Sequence, residues 1–192
     1  VIPMNNELYK IALDACKQVY KHNIDLGTTE YMYSRSEYLN KPLQVIAVAG
    51  TNEGLDWVKN LDVRDIQGIK RSGVTAANEM LGDLNWKRWI DPNIPILITG
   101  HSKGTATAVA YMKLYGADYC VLFNPVRCLS RSRDNTMKNT TMFLDKEDVV
   151  SKLAWLSFKL PKCKIIKKPR DARPWWDIKT NHGLSSWNEI IG

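Results

Sequence analysis

Residues 92–116, "PNIPILITGHSKGTATAVAYMKLYG", constrain the fold more tightly than any other stretch of this 192-residue chain. Pro92 and Pro95 border a short apolar run, and prolines border strands better than they fill helices. Then come Gly100-His101-Ser102-Lys103-Gly104 and a slim run rich in alanine and threonine that reaches Gly116. The order predicts a buried strand over 95–99, a sharp turn, and a helix stopped at Gly116. G-x-S-x-G arises by accident often enough that the pentapeptide alone decides nothing. Its flanks decide, because a strand–turn–helix with small residues two before and two after the serine is what a nucleophile elbow requires.

The rest of the chain repeats the alternation. "NNELYKIALDACKQVYKHN" places Leu8, Ile11, Ala12, Ala15, Val19 and Tyr20 on one face at 3.6-residue spacing, a helix over 5–23 with Asn5 or Asn6 as its cap. The tyrosine-rich "TEYMYSRSEYL" reads as an outer strand or ribbon, and "LQVIAVAG" as a buried strand. "GLDWVKNL" reads as a short helix, "DVRDIQ" as a strand, and "SGVTAANEMLGDL" as a helix. "DYCVLFN" and "TTMFL" are further strands, "DVVSKLAWLSF" is helical, and the basic, tryptophan-rich tail 159–192 is irregular. Strands near 43–49, 95–99, 119–123 and 140–144 alternating with helices predict one α/β domain over 1–192. Its fold is a three-layer, α/β-hydrolase-like one with a mostly parallel central sheet. Ligands of such sheets bind beyond the carboxyl ends of the strands.

A serine hydroxyl needs a base to become a nucleophile, and the base needs an orienting acid. The chain has three histidines. His22 lies near the end of the first helix, and elbow geometry turns His101 away from the serine into packing. His182, in "TNHGLSSW", is the candidate base by elimination. "TMFLDKEDVVSKL" offers Asp145, Glu147 and Asp148 as acids, and spacing does not choose among them. The backbone N–H of Lys103, at the start of the helix, points toward a developing oxyanion.

Composition bounds the alternatives. Apolar residues make up 44% and charged residues 24%, which suits a globular domain with one sizeable core. No run approaches the roughly 18 apolar residues of a membrane span, and no stretch reads as a secretory leader. Cys16, Cys120, Cys128 and Cys163 lack C-x-x-C spacing, which argues against zinc, and read as reduced thiols of a cytoplasmic protein. The formal charge is +7, concentrated in Lys159, Lys162, Lys164, Lys167, Lys168, Arg170 and Arg173. With Trp155, Trp175 and Trp176 nearby, this 159–173 segment suits peripheral contact with an anionic membrane surface. No nucleic-acid-binding motif accompanies it, so no nucleic-acid partner is expected.

Four segments together resemble the class 3 (fungal-type) lipase group of α/β hydrolases. "VIAVAGTNEGLDWVKNLD" resembles its strand, oxyanion turn and D-W-x-x-N helix, and "ILITGHSKGTATAVAY" its elbow. "FLDKEDVVSKL" resembles its acid segment and "NHGLSSW" its histidine segment. The lysine after the serine is similar to a bacterial branch of lipase-like proteins with a G-H-S-K-G elbow. The resemblance, over about 43–187, implies Ser102 as nucleophile, Asp148 as acid and His182 as base. It implies Thr51 and Lys103 as oxyanion donors. It implies cleavage of an acyl ester, of a lipid or a small acyl substrate, with neither metal nor organic cofactor. Thioesterase, amidase or acyltransferase chemistry would use the same residues, and a non-catalytic binding protein could keep the scaffold. Departures are Ala49 where the family often has arginine, Thr105 in place of a second glycine, and Ser151 in place of proline.

Overall fold

The computed structural model describes residues 2–21, 30–50, 64–152, 157–168 and 183–192. Helix α1 (Asn6–Lys21) opens the fold, with Asn5 Oδ1 accepting the Leu8 N–H at 3.2 Å as its cap. Strands β1 (Tyr31–Tyr38) and β2 (Lys41–Val48) form an antiparallel pair. Two short strands, β3 (Asp65–Ile66) and β4 (Ile69–Lys70), precede helix α2 (Arg71–Trp86). Strand β5 (Ile96–His101) leads through the elbow into helix α3 (Gly104–Leu114). Strands β6 (Tyr119–Phe123), β7 (Leu129–Ser130) and β8 (Thr136–Leu144) follow. After a 3₁₀ turn at Val149–Lys152 come β9 (Phe158–Lys159) and β10 (Lys162–Lys167). The chain closes with a 3₁₀ turn at Leu184–Trp187 and a last helical turn, α4 (Asn188–Ile191).

The main sheet has the order β1-β2-β5-β6-β8-β10. Every pairing in it beyond β1–β2 is parallel. The small strands β3, β4, β7 and β9 form a separate antiparallel sheet. The expected α/β fold with a mostly parallel sheet is thus what the chain adopts.

Strand periodicity explains why the core is split into two layers. Leu43, Val45 and Ala47 of β2, Leu97 of β5, and Val121 and Phe123 of β6 point to the face covered by α1 and the C-terminal segment. Ile46, Val48, Ile98, Cys120 and Leu122 point to the other face, under α2 and α3. Helix α3 is buried from Gly104 through Tyr111, so its alanines and threonines keep it slim between sheet and α2. Gly73 allows that contact, since a Cβ there would lie 2.7 Å from the carbonyl oxygen of Ala106. Gln44, buried within β2, uses its whole hydrogen-bonding capacity. Its Oε1 accepts from Tyr33 Oη and the Asp91 N–H, and its Nε2 donates to the carbonyls of Asp91 and Ile94. The loop before β5 is thereby pinned to the sheet.

Two expectations need correction. "DVVSKLAWLSF" is not one helix: Val149–Lys152 is a single 3₁₀ turn and Phe158 lies in strand β9. The tail is not irregular throughout, because residues 162–167 form β10 and pair with β8. "KCKIIK" escapes a periodicity reading because its charges fall on both faces, as an edge strand permits. "GLDWVKNL", Asp62 and Val63 of "DVRDIQ", and Trp155, Trp175 and Trp176 lie outside the described residues, while Asp65–Ile66 of "DVRDIQ" form β3. All four cysteines are free; burial pushes the Cys16 and Cys128 thiols up to about 12 and Cys163 to about 11. Among the described residues no helix is long and apolar enough to cross a membrane.

Replacing Gly73 with alanine should force α2 off α3. The expected loss is about 1–3 kcal/mol of unfolding free energy, measured by urea denaturation.

Candidate active site

The site is organised by the turn that joins β5 to α3. Ser102 sits there at φ 57°, in the left-handed region that a non-glycine residue seldom occupies. Three contacts hold it. Its N–H donates to the carbonyl of Phe123 at the end of β6, at 3.1 Å. Its own carbonyl accepts the Thr105 N–H at 3.0 Å and the Thr105 hydroxyl at 2.6 Å. The Thr105 hydroxyl in turn accepts the Val126 N–H at 3.0 Å. A second glycine at position 105 would supply neither side-chain bond.

The crowding expected of an elbow is present in full. A Cβ on Gly100 would lie 2.6 Å from the Gly104 carbonyl oxygen, and one on Gly104 would lie 2.3 Å from the Val48 carbonyl oxygen. The end of β2 also reaches the turn: a Cβ on Gly50 would meet Ser102 Cβ at 3.0 Å and the Lys103 nitrogen at 3.3 Å. The residue immediately before Thr51 is therefore packed against both Ser102 and the Lys103 N–H. Lys103 stands at the N-terminus of α3 with helical backbone angles and no side-chain cap. Ser102 and Lys103 are half-buried.

Tyr20 binds the two sides of this arrangement together. Its hydroxyl accepts the Gly50 N–H at 2.9 Å and lies 2.5 Å from His101 Nδ1. Burial raises the Tyr20 pKa far above that of an exposed phenol, so the hydroxyl keeps its proton. His101 is buried and stands edge-on to the Tyr20 ring, 5.4 Å away. The expected turn of His101 into packing is observed.

Asp148 is fully buried at the turn after β8. Its Oδ1 accepts the Val150 N–H at 3.0 Å, and Asn124 Nδ2 lies 3.4 Å from its Oδ2. Ser151, found where proline was expected, donates its hydroxyl to the Asp148 carbonyl at 2.9 Å. Arg127 Nε donates to the Ser151 carbonyl at 2.9 Å, which ties the turn to the loop after β6. Asp145 is buried as well, but its Oδ1 accepts the N–H of Glu147 in the same turn.

Thr51 and His182 lie outside the described residues, as does His22. The chain next to His182 is anchored: Leu184, Trp187 and Ile191 join the core layer beside α1, and Ser186 Oγ donates to the Gly183 carbonyl. Ser102, Lys103 and Asp148 all stand at the carboxyl ends of the parallel strands, where such sheets bind ligands. Among the described residues no group of histidine, cysteine, aspartate and glutamate is arranged to hold a metal ion.

No family model matches the chain, and no curated protein matches it in sequence. Solved structures do match it. It is similar to the Lip2 lipase of Yarrowia lipolytica, at 13% identity over 90% of this chain and 83% of that one, with a TM-score of 0.55. Lipase II of Rhizopus niveus gives 14% identity, coverage of 93% and 89%, and a TM-score of 0.55. A further fungal lipase gives 18% identity and a TM-score of 0.54; 85% of this chain is covered, but only 65% of that lipase. The chain has the lipase fold. On the lipase fold, the G-x-S-x-G turn here carries the left-handed serine, and β2 ends against it.

Sequence reasoning passed over two residues of this region. Tyr20 was read only as part of an apolar helix face, and Asn124 only as the end of a strand. A buried polar residue that closes an apolar strand at its carboxyl end, directly before a proline, is the signal that would have singled out Asn124.

Tyr20→Phe leaves the Gly50 N–H and His101 without their shared hydroxyl. It should cost about 1–3 kcal/mol, read from the denaturation midpoint at unchanged slope.

Proposed function

We propose that this protein is a serine hydrolase that cleaves carboxylic esters of lipids or small acyl compounds. The observation that carries the reading is Ser102, held at φ 57° between β5 and α3 on a lipase fold. In this reading Ser102 Oγ attacks the acyl carbonyl while His182 takes its proton. The N–H groups of Thr51 and Lys103 receive the negative charge that develops on the carbonyl oxygen. Asp148 orients His182 and stabilises its protonated form. His182 then returns the proton to the leaving alcohol, and water admitted by the same base releases the acid from Ser102. Gly50, packed against Ser102 and the Lys103 nitrogen, supports this assignment by bringing the chain that leads to Thr51 up to the elbow.

Basic side chains line the outer strand of the same sheet. Lys162, Lys164 and Lys167 of β10 are exposed. Because β10 runs parallel to β8, β6 and β5, Lys167 lies toward the edge on which Ser102 stands. An anionic lipid surface is the partner this charge suits.

A fluorophosphonate probe should label the wild-type protein and leave Ser102→Ala unlabelled; equal labelling of both, or of neither, rejects the serine-hydrolase reading. Asp148→Asn should lower kcat by about 10³–10⁴-fold on a soluble p-nitrophenyl ester, as loss of the acid does in other triads. A panel of esters, thioesters and amides then identifies the bond. Binding to phosphatidylglycerol vesicles should weaken about tenfold or more when Lys162, Lys164 and Lys167 become glutamate. Unchanged vesicle binding removes the membrane surface from the reading and leaves the chemistry untouched.

A further inference from the structure

The carboxyl end of β6 carries a buried polar hub at Asn124. The residue is fully buried, has a left-handed φ of 48°, and is fixed to β8 by its N–H, which donates to the Phe143 carbonyl at 3.0 Å. Its side chain bonds in two directions. Trp187 Nε1 donates to Asn124 Oδ1 at 2.8 Å, and Asn124 Nδ2 faces Asp148 Oδ2.

An indole N–H is a donor and nothing else. The bond to Trp187 therefore dictates which way the Asn124 amide lies, with oxygen toward the indole and nitrogen toward the carboxylate. Trp187 is fully buried and stands edge-on to Phe143 with ring centroids 5.4 Å apart, so it is not free to turn aside. Asp148 thus meets an N–H donor on each oxygen, one from the Val150 backbone and one from a side chain set by a tryptophan. That tryptophan lies five positions after His182.

We propose that Asn124 is a positioning residue for the acid, and that the Trp187–Asn124–Asp148 relay holds the acid in register with the chain segment that carries the base. The proposal rests on Asp148 being the acid of the triad. The amide contributes orientation: it keeps Asp148 from rotating about its terminal bond. An asparagine suits the place for a second reason, because it tolerates the left-handed backbone that the end of β6 adopts.

The test is a mutant cycle read on a soluble acyl ester. Asn124→Asp is isosteric and keeps an oxygen for Trp187, but it sets oxygen against oxygen at Asp148. The expected result is a kcat lower by about 10- to 100-fold, with KM within about twofold of wild type. In the Asp148→Asn background the same change should cost less than about twofold, because the group it acts through has gone. A purely structural role would repeat its full cost there. Trp187→Phe removes the orienting donor and should show the same coupling; it carries the test if thermal unfolding shows Asn124→Asp to be unfolded at the assay temperature. Wild-type kcat in the folded variant, or an undiminished loss in the Asp148→Asn background, overturns the positioning role. Near-wild-type activity of Asp148→Asn alone overturns the acid assignment beneath it.

Discussion

Contact between the first turn of α3 and the backbone of β2 is the constraint on which the rest of the site depends. Gly104 lies so near the Val48 carbonyl that no side chain fits, and Gly100 lies as near Gly104. Only this approach lets β5 pass directly into a helix above its own sheet. The turn between them is two residues long, and the first of them, Ser102, takes a left-handed backbone. Strain of this kind costs on the order of 1–3 kcal/mol and persists only when the surroundings over-determine it. Here the Phe123 carbonyl, Thr105 and the end of β2 do so together.

Two polar clamps flank that turn, and each joins parts distant in sequence. On one side Tyr20 of α1 bonds to Gly50 after β2 and His101 at the end of β5. On the other, Trp187 near the C-terminus bonds to Asn124 after β6, which faces Asp148 after β8. Helix α1 and the C-terminal turns pack into one hydrophobic layer, so both clamps are backed by the same apolar face. A buried polar group without a partner is costly, and a satisfied network specifies a single arrangement. The apolar layer supplies stability, and the clamps select among the ways the strand ends could sit.

Much of this was legible in the sequence because it is local. The strand–turn–helix, its two crowded glycines, the cap at Asn5 and the stop at Gly116 each follow from a few neighbouring residues. The parallel sheet followed from the order of such elements. What escaped depends on pairing at a distance. "KCKIIK" becomes a strand because β8 offers an open edge, not because its own pattern alternates. Val149–Lys152 has helical composition but forms a 3₁₀ turn, with Ser151 bonded to the Asp148 carbonyl and Arg127 to that of Ser151. Among the acids, spacing left Asp145, Glu147 and Asp148 open; burial is shared by Asp145 and Asp148, and what faces each of them is set by contacts distant in sequence, such as that of Asp148 with Asn124. Tyr20 and Asn124 carry no motif, and their partners lie 30 and 63 residues away.

Strand β10 has a consequence apart from any ligand. Among the described residues it is the last strand of the main sheet, and its outer side is an edge. Such an edge invites a second chain to add itself as another strand. Lys162, Lys164 and Lys167 set like charges along it, and an identical edge brought alongside would meet three more. Like charge along an edge opposes such pairing, and here it adds to the excess of +7 that the whole chain carries.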